Sequence, residues 1–192
     1  MIGRWDLKAD PENFKKNQLE WIFDWQVDVL GLNPQHLYVT VFKGDPSVGI
    51  DRDDEAIEIW TKIFKARNID PKIESNGEKY GTSRGGRIFL YDADENWWSR
   101  SGRPANMPIG ELGGPDSEMF FDFEPNGDIK DHPASDSGRF LEIGNNVFMS
   151  HQKVRADSFL PLEKPNIDYG GGLERICAAV NTDRDVYNTP FF

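Results

Sequence analysis

The order of helical and extended segments constrains the fold of this chain more than any other feature of its sequence. Apolar residues recur at helical spacing through Pro11–Leu30, where Asp10 is placed as the N-cap and Gly31 as the stop. The segment Asp53–Glu55 places acidic residues in the first turn of a second helix. Each helix has one apolar face, so both are predicted to pack against a sheet.

Extended segments outnumber the helices. They are rich in β-branched and aromatic residues and lie at Leu37–Phe42, Arg87–Tyr91, Glu118–Phe123, Arg139–Ser150 and Pro165–Asp168. The glycine run Gly170–Gly172 leads into a helix at Leu173–Val180, and long loops are predicted at Ser99–Pro115 and Glu124–Gly138. Because strands and helices do not alternate regularly, the chain is predicted to be one α+β domain with an antiparallel sheet flanked by helices.

Composition narrows the functional classes. The formal net charge is −11, and the basic residues are scattered, which argues against a stand-alone nucleic-acid binder because such proteins need clustered Lys and Arg. No run of about 18 apolar residues predicts a membrane-spanning helix, and the N-terminus lacks the apolar stretch of a signal peptide. Cys177 is the single cysteine, so the reducing cytoplasm is the predicted compartment.

The segment Asn166–Arg175 carries the clearest chemical signal. It is typical of a strand that ends in the carboxylate of Asp168, followed by a glycine turn and a helix with Arg175 in its first turn. Glycines let the backbone approach a ligand, a helix N-terminus favours anions, and a guanidinium suits phosphate oxygens. Asp168 is placed where a carboxylate could hold an ammonium group. An ammonium site beside a phosphate site is what an amino acid together with ATP requires.

The same segment has a purely structural interpretation. The glycine run is then only a flexible turn, and Asp168 caps the helix that follows, an arrangement common in proteins. The residues taken alone leave both interpretations open.

Four stretches, in the same order along the chain, resemble segments of the alanyl-tRNA synthetases, which belong to the class II aminoacyl-tRNA synthetases. The matching segments are Leu37–Phe42 (L-Y-V-T-V-F), Asn96–Trp98 with Gly113–Glu118 (N-F-W and G-P-x-x-E), Glu142–Met149 (E-I-W-N-x-V-F-M) and Asp168–Arg175 (motif 3, D-x-G-x-G-L-E-R). Met1–Gly3 also resembles the M-L-G that closes motif 2. The resemblance extends over essentially the whole chain.

The resemblance implies an amino-acid pocket. Asp168 would bind the α-ammonium of alanine, Asn145 and Trp98 would help to define the pocket, and Val147 and Gly170 would keep the side-chain cavity small. For Trp98, a place in the core of so aromatic a chain is the alternative.

The resemblance also implies a nucleotide site. Arg175 would be the catalytic residue and would hold the γ-phosphate of ATP, and Gly172 would allow the nucleotide to approach closely. Glu142 would contribute to ATP binding as a ligand of Mg²⁺, a cation that prefers carboxylate oxygens; the alternative is an exposed strand carboxylate. The implied reaction is attack of the alanine carboxylate on the ATP α-phosphate, then transfer to tRNA(Ala). Such chemistry depends on positioning and charge stabilisation and needs no protein nucleophile.

The sequence departs from the family pattern at four places. Gly144 stands where the family has Trp, Tyr169 where it has Thr, and Gly171 where it has Met. The segment Gly113–Glu118 replaces a cysteine-containing version. These changes affect the expected shape of the pocket more than the expected reaction.

The resemblance assigns residues 1–192 to a partial class II catalytic domain that lacks motif 1 and most of motif 2. The fragment is therefore expected to be inactive or weakly active alone, and tRNA(Ala) would bind through regions outside it. A second interpretation is a free-standing synthetase-like protein that binds an amino acid or adenylate without charging tRNA. The sequence leaves the oligomeric state open.

Overall fold

The computed structural model describes all 192 residues as a sheet of eight strands with two long helices packed on one face. Seven strands follow the order β1-β8-β7-β6-β2-β4-β3, and β5 pairs with β6. The strands are β1 (Ile2–Asp6), β2 (Leu37–Phe42), β3 (Ile73–Glu74), β4 (Ile88–Tyr91), β5 (Trp97–Ser99), β6 (Leu112–Asp122), β7 (Phe140–Arg155) and β8 (Ser158–Gly171).

The centre of the sheet is antiparallel, and one side of it is parallel. Strands β6, β7, β8 and β1 pair antiparallel in succession, whereas β4 pairs parallel with both β2 and β3. The predicted α+β class is confirmed, and the sheet is mixed because β2 and β4 are joined through the intervening helix α2 rather than through a hairpin.

Two long helices cover one face of the sheet. These two are α1 (Phe14–Asp24) and α2 (Asp54–Ala66). The chain also has the short helix α3 (Gly77–Tyr80) and, after the last strand, α4 (Leu173–Asn181). Helix α1 contributes Phe23 and α2 contributes Trp60 to the main core, where their rings meet edge to face at 6.2 Å. The Trp60 indole also donates a hydrogen bond to Ser117 on β6 at 2.8 Å, which ties α2 to the middle of the sheet.

The opposite face is covered only in part. A small aromatic cluster on β2, β4, β6 and β7, which includes Tyr38 and Phe140, packs against Ala134 in the connection between β6 and β7. That connection is anchored by a buried ion pair in which Arg139 donates to both carboxylate oxygens of Asp122. Beyond this cluster, the face formed by β6, β7, β8 and β1 carries the candidate site.

The predicted helix Pro11–Leu30 begins and ends differently in the structure. Helix α1 begins at Phe14, because the Asp10 carboxylate accepts hydrogen bonds from the Glu12 backbone N–H and the Asn13 side chain and so forms a turn before the helix. A π-helical turn at Trp25–Val29 follows. Gly31 has the positive φ, +78°, expected of the stop.

The predicted glycine turn after Asp168 is wrong. Strand β8 does not end there but continues to Gly171, because Gly170 pairs with Gly3 on one side and Asn145 on the other. None of the residues of the run has a positive φ.

Other boundaries also move, since β7 continues to Arg155 rather than Ser150 and β8 begins at Ser158 rather than Pro165. The predicted loop Ser99–Pro115 is shorter, since Ser99 ends β5 and β6 begins at Leu112. Helix α2 has Asp53 as its N-cap, with the carboxylate accepting from the Ala56 N–H at 3.1 Å. No helix in the structure is both long enough and apolar enough to span a bilayer.

Candidate functional site

Two rows of residues cross the open face of the sheet. The first row runs Asp116–Val147–Asp168–Trp5 across β6, β7, β8 and β1, and the second runs Glu118–Asn145–Gly170–Gly3. Directly opposite residues in antiparallel strands place their side chains on the same face, and alternate residues along a strand share that face. The register therefore brings together four sequence-predicted residues: Asn145, Val147, Asp168 and Gly170.

Asp168 lies in the middle of the first row as a half-buried carboxylate. No hydrogen bond or ion pair to it is present, although the chain contains thirteen ion-pair contacts elsewhere. Its opposite neighbour on β7 is the buried Val147, which is 6% exposed. An unpaired carboxylate beside a small apolar surface suits a cation that carries a small apolar group.

Asn145 lies in the second row, directly between Glu118 and Gly170. Its side-chain amide faces Asp116, where hydrogen bonds from Asn96 and Asn145 lower the pKa of the Asp116 carboxyl without offsetting the larger effect of burial. The Asn145 Oδ1 atom is buried and has no hydrogen-bond partner within the protein. A ligand N–H group would satisfy this acceptor.

Two further acidic residues, Asp116 and Glu118, belong to the site and were not among the predicted site residues. The pKa of Asp116 is raised to about 7 and that of Glu118 to about 9, chiefly by burial and in smaller part by neighbouring carboxylates that include Glu142 and Glu95. Thr40 donates a weak hydrogen bond of 3.4 Å to Glu118. Both residues lie in the segment Gly113–Glu118, which the sequence analysis matched to G-P-x-x-E. Only the sheet register shows that their carboxyls lie on the same face as the predicted site residues.

Arg175 and Glu142 are brought together at the edge of this face. The Arg175 Nη1 atom lies 2.6 Å from Glu142 Oε2 and 3.3 Å from the Glu142 carbonyl oxygen. Both side chains are partly exposed, and they line a cavity of about 300 Å³ with Glu118 and Glu95. Arg175 is the single basic residue among the lining side chains, so the cavity is strongly acidic.

Gly172 and Trp98 lie at the margins of the site. Gly172 is the N-cap of α4 and has extended backbone angles, and a Cβ there would lie 2.8 Å from the Glu174 carboxylate. Trp98 lies on β5 opposite Gly114 and is 38% exposed. Trp98 is therefore not a core residue, whereas the preceding Trp97 is buried against Phe42.

The donor chemistry of the site suits Mg²⁺, because carboxylate oxygens are its preferred protein ligands. Burial is the main cause of the raised pKa values of Asp116 and Glu118, and neighbouring carboxylates add to it; a divalent cation would favour the charged forms of both carboxyls. No group of three or more Asp, Glu, His or Cys side chains is assembled in metal-binding geometry, and Glu142 is engaged by Arg175. Glu142 can thus contribute at most part of a coordination shell, with water and phosphate oxygens supplying the rest.

The whole chain, residues 1–192, matches the family described as tRNA synthetases class II (A). The chain belongs to this family. It is 34% identical over its full length to an alanine–tRNA ligase from Treponema pallidum, covering 27% of that protein, and 32% identical over its full length to one from Bacteroides thetaiotaomicron, covering 19%. A Rubrobacter xylanophilus alanine–tRNA ligase is 32% identical over 93% of the chain.

The chain therefore spans about a fifth to a quarter of the length of these curated relatives. Among solved structures, a histidyl-tRNA synthetase from Staphylococcus aureus aligns with a TM-score of 0.43 at 12% identity, over 94% of this chain and 46% of that one.

The departures from the synthetase pattern meet at one point beneath the site. Tyr169 is fully buried on the helix face, and a Cβ on either Gly144 or Gly171 would lie 2.7 Å from its hydroxyl oxygen. The tyrosine ring thus occupies space that larger side chains at these two positions would need. The tyrosine at position 169 and the glycines at positions 144 and 171 are therefore linked through packing.

The histidines and the cysteine of this chain lie away from the two rows. His132 is hydrogen-bonded to the Tyr91 hydroxyl at 2.7 Å, and His36 Nδ1 lies 2.9 Å from the Asp122 carbonyl oxygen. Cys177 is on α4 and lines an apolar groove with Ile2 and Trp25.

Proposed function

We propose that the complete protein is an alanine–tRNA ligase and that this part of its catalytic domain, residues 1–192, binds alanine and the phosphates of ATP. The observation that carries the proposal is the unpaired carboxylate of Asp168 opposite the buried Val147, on a sheet face that leads to Arg175. The alanine–tRNA ligases among the relatives support this function, and no observation favours a free-standing amino-acid-binding protein.

The amino-acid pocket follows from the two rows. Asp168 holds the α-ammonium, Val147 contacts the methyl group, and the absence of a side chain at Gly170 leaves room for the backbone atoms of the substrate. Asn145 accepts a hydrogen bond through its unpaired Oδ1. Trp98 closes the pocket from the neighbouring strand β5.

The phosphate end of the site is formed by Arg175 and Gly172. Arg175 holds the γ-phosphate, and its present contact with Glu142 keeps the guanidinium on the open face before the nucleotide arrives. Glu142, with the neighbouring acidic residues, supplies carboxylate oxygens for Mg²⁺. When bound, Mg²⁺ supplies neutralisation of the triphosphate charge in a cavity whose own side chains are mostly acidic.

The reaction needs no protein nucleophile. One oxygen of the alanine carboxylate forms a bond to the α-phosphorus, the bond to the bridging oxygen breaks, and pyrophosphate leaves with that electron pair. Asp168 fixes the amino group so that the carboxylate points towards the phosphate end, and Arg175 stabilises the charge on the leaving group. A hydroxyl of the terminal ribose of tRNA(Ala) then attacks the carbonyl carbon of the alanyl-adenylate, the ester bond forms, and AMP leaves. We assign the binding of the tRNA to regions outside this chain. The cytoplasm is the proposed compartment.

The test is a thermal-shift titration with a non-hydrolysable alanyl-adenylate analogue. The unmodified chain should be stabilised, and Asp168→Asn should abolish most of that shift because the neutral amide no longer attracts the ammonium. Asp157→Asn, in the turn between β7 and β8, is the matched control and should retain the shift. Equal stabilisation of all three proteins would contradict the assignment.

A further inference from the structure

We propose that Trp5 is a further substrate-binding residue, which contacts the α-ammonium of the amino acid together with Asp168. This inference rests on the proposed function. Trp5 and Asp168 are directly opposite each other in the pairing of β1 with β8. Their side chains therefore leave the sheet on the same face, at neighbouring positions of one row.

The indole ring of Trp5 lies over the site face and stays accessible. The outer end of its six-membered ring reaches over Gly3, where a Cβ would lie 2.9 Å from Cη2. The residue is nevertheless 62% exposed. Because Gly3 is opposite Gly170, the ring extends from the Asp168 row towards the next one, beside the proposed amino-acid pocket.

The chemistry at this position fits an ammonium group. The face of an indole attracts cations, and among aromatic side chains Trp does so most strongly. A carboxylate and an indole side by side therefore form a two-sided site for one positive charge. No cation of the protein occupies it, since the adjacent Arg4 extends to the other face, where it contacts Gln18 and the Trp21 ring.

Trp21 is also an exposed tryptophan, but unlike Trp5 it contacts an aromatic ring and a cation of the protein. It is 46% exposed on α1, stacks on Trp25 with ring centroids 6.4 Å apart, and has the Arg4 guanidinium 5.8 Å from its ring. Trp5 has neither an aromatic nor a cationic partner. Trp21 is thus the matched control, an exposed tryptophan on the opposite face of the sheet.

The experiment compares two adenylate analogues by isothermal titration calorimetry. One is sulfamoyl-linked alanyl-adenosine, and the other is its propionyl counterpart, which lacks only the amino group. Trp5→Leu should lower the affinity for the alanyl analogue about 3- to 30-fold and leave that for the propionyl analogue unchanged. Trp5→Phe should give a smaller loss, Gly3→Ala should imitate Trp5→Leu by displacing the ring, and Trp21→Leu should change neither affinity.

Two results would overturn the role of Trp5 alone. Equal losses for both analogues would mean that the ring contacts the nucleoside or only supports the fold, and unchanged affinities in Trp5→Leu would mean that it makes no contact. The proposed function has a separate readout, since Asp168→Asn must discriminate between the analogues. If the unmodified chain binds neither analogue, or if Asp168→Asn affects both equally, the proposed function and this inference fail together.

Discussion

At the scale of single residues, the charged groups of the site are neutralised to different degrees. Arg175 is paired with Glu142, Asp168 has no partner, and burial favours the neutral forms of Asp116 and Glu118. A ligand with one ammonium group and one anionic group would pair the ammonium with Asp168 and the anion with Arg175. The ion pair between Arg175 and Glu142 is partly exposed, so its loss should lower the free energy of unfolding by less than about 1 kcal/mol.

Substitution of Arg175 should therefore separate binding from stability. Arg175→Ala should weaken the binding of Mg²⁺–ATP about tenfold or more, because a charge-assisted contact with phosphate is lost, while the urea-unfolding midpoint changes little. Calorimetric titration with the nucleotide checks the first expectation.

The matched control for that prediction is Arg184→Ala. Arg184 forms an ion pair of similar length, 2.7 Å, with Glu124 outside the site. Equal loss of nucleotide affinity in both variants would show that the effect is one of net charge, and would contradict the role of Arg175.

At the scale of elements, helix α4 begins beside the buried Tyr169, which lies on β8 and packs closely against β7. Gly171 is the last residue of β8, one residue before the N-cap of α4, and a Cβ there would also lie 2.9 Å from the Ile143 carbonyl oxygen. Gly144 lies on β7 near Glu142. Tyr169 thus lies close to Gly144 on β7 and to Gly171 just before α4, so its size and the two glycines are linked.

An exchange of volume tests this linkage. Tyr169→Thr should lower the free energy of unfolding by about 3 kcal/mol through the cavity that it leaves, and Gly144→Trp should also destabilise the chain because its side chain meets the tyrosine ring. The double variant should be more stable than the sum of the two effects predicts, by about 1 kcal/mol or more. Urea unfolding of the four proteins measures this coupling. Strict additivity would mean that the two positions do not share one space.

At the scale of the whole molecule, the acidic face makes stability depend on pH. Asp116 and Glu118 have ordinary carboxyl pKa values of 3.8 and 4.5 when unfolded, and folding raises these to about 7 and about 9. The folded chain thus binds more protons than the unfolded chain between these limits. These two carboxyls therefore make the free energy of unfolding fall as the pH rises from about 4 to about 9.

Glu118→Gln should flatten this dependence, most clearly between pH 7 and 9, where Glu118 is the main titrating group of the pair. Urea unfolding at intervals across this range measures it, with Glu163→Gln, an exposed residue of β8, as the control. A stability that rises with pH in the unmodified chain would contradict the burial argument. Added Mg²⁺ should reduce the fall in stability if the cation binds among these carboxylates.

Helix α2 and at least part of strands β2, β4, β6, β7 and β8 were predictable from the sequence because their residue patterns are local, whereas β1, β3 and β5 were not predicted. The continuation of β8 through Gly170 was not, because it depends on pairing with β1, more than 160 residues away in the chain. The same distant pairing places Trp5 beside Asp168. Asp116 and Glu118 were missed as site residues because their raised pKa values arise from burial in the assembled sheet, which a local pattern does not reveal.

The most direct test of the alanine site is the comparison of alanyl and leucyl sulfamoyl-adenosine analogues binding to the unmodified chain. The two ligands share the ammonium and the nucleoside and differ only in side-chain size. We predict that the alanyl analogue binds more than about tenfold more tightly, since the surface formed by Val147 and Gly170 is already packed within the sheet. Equal affinities would contradict an alanine site on this face.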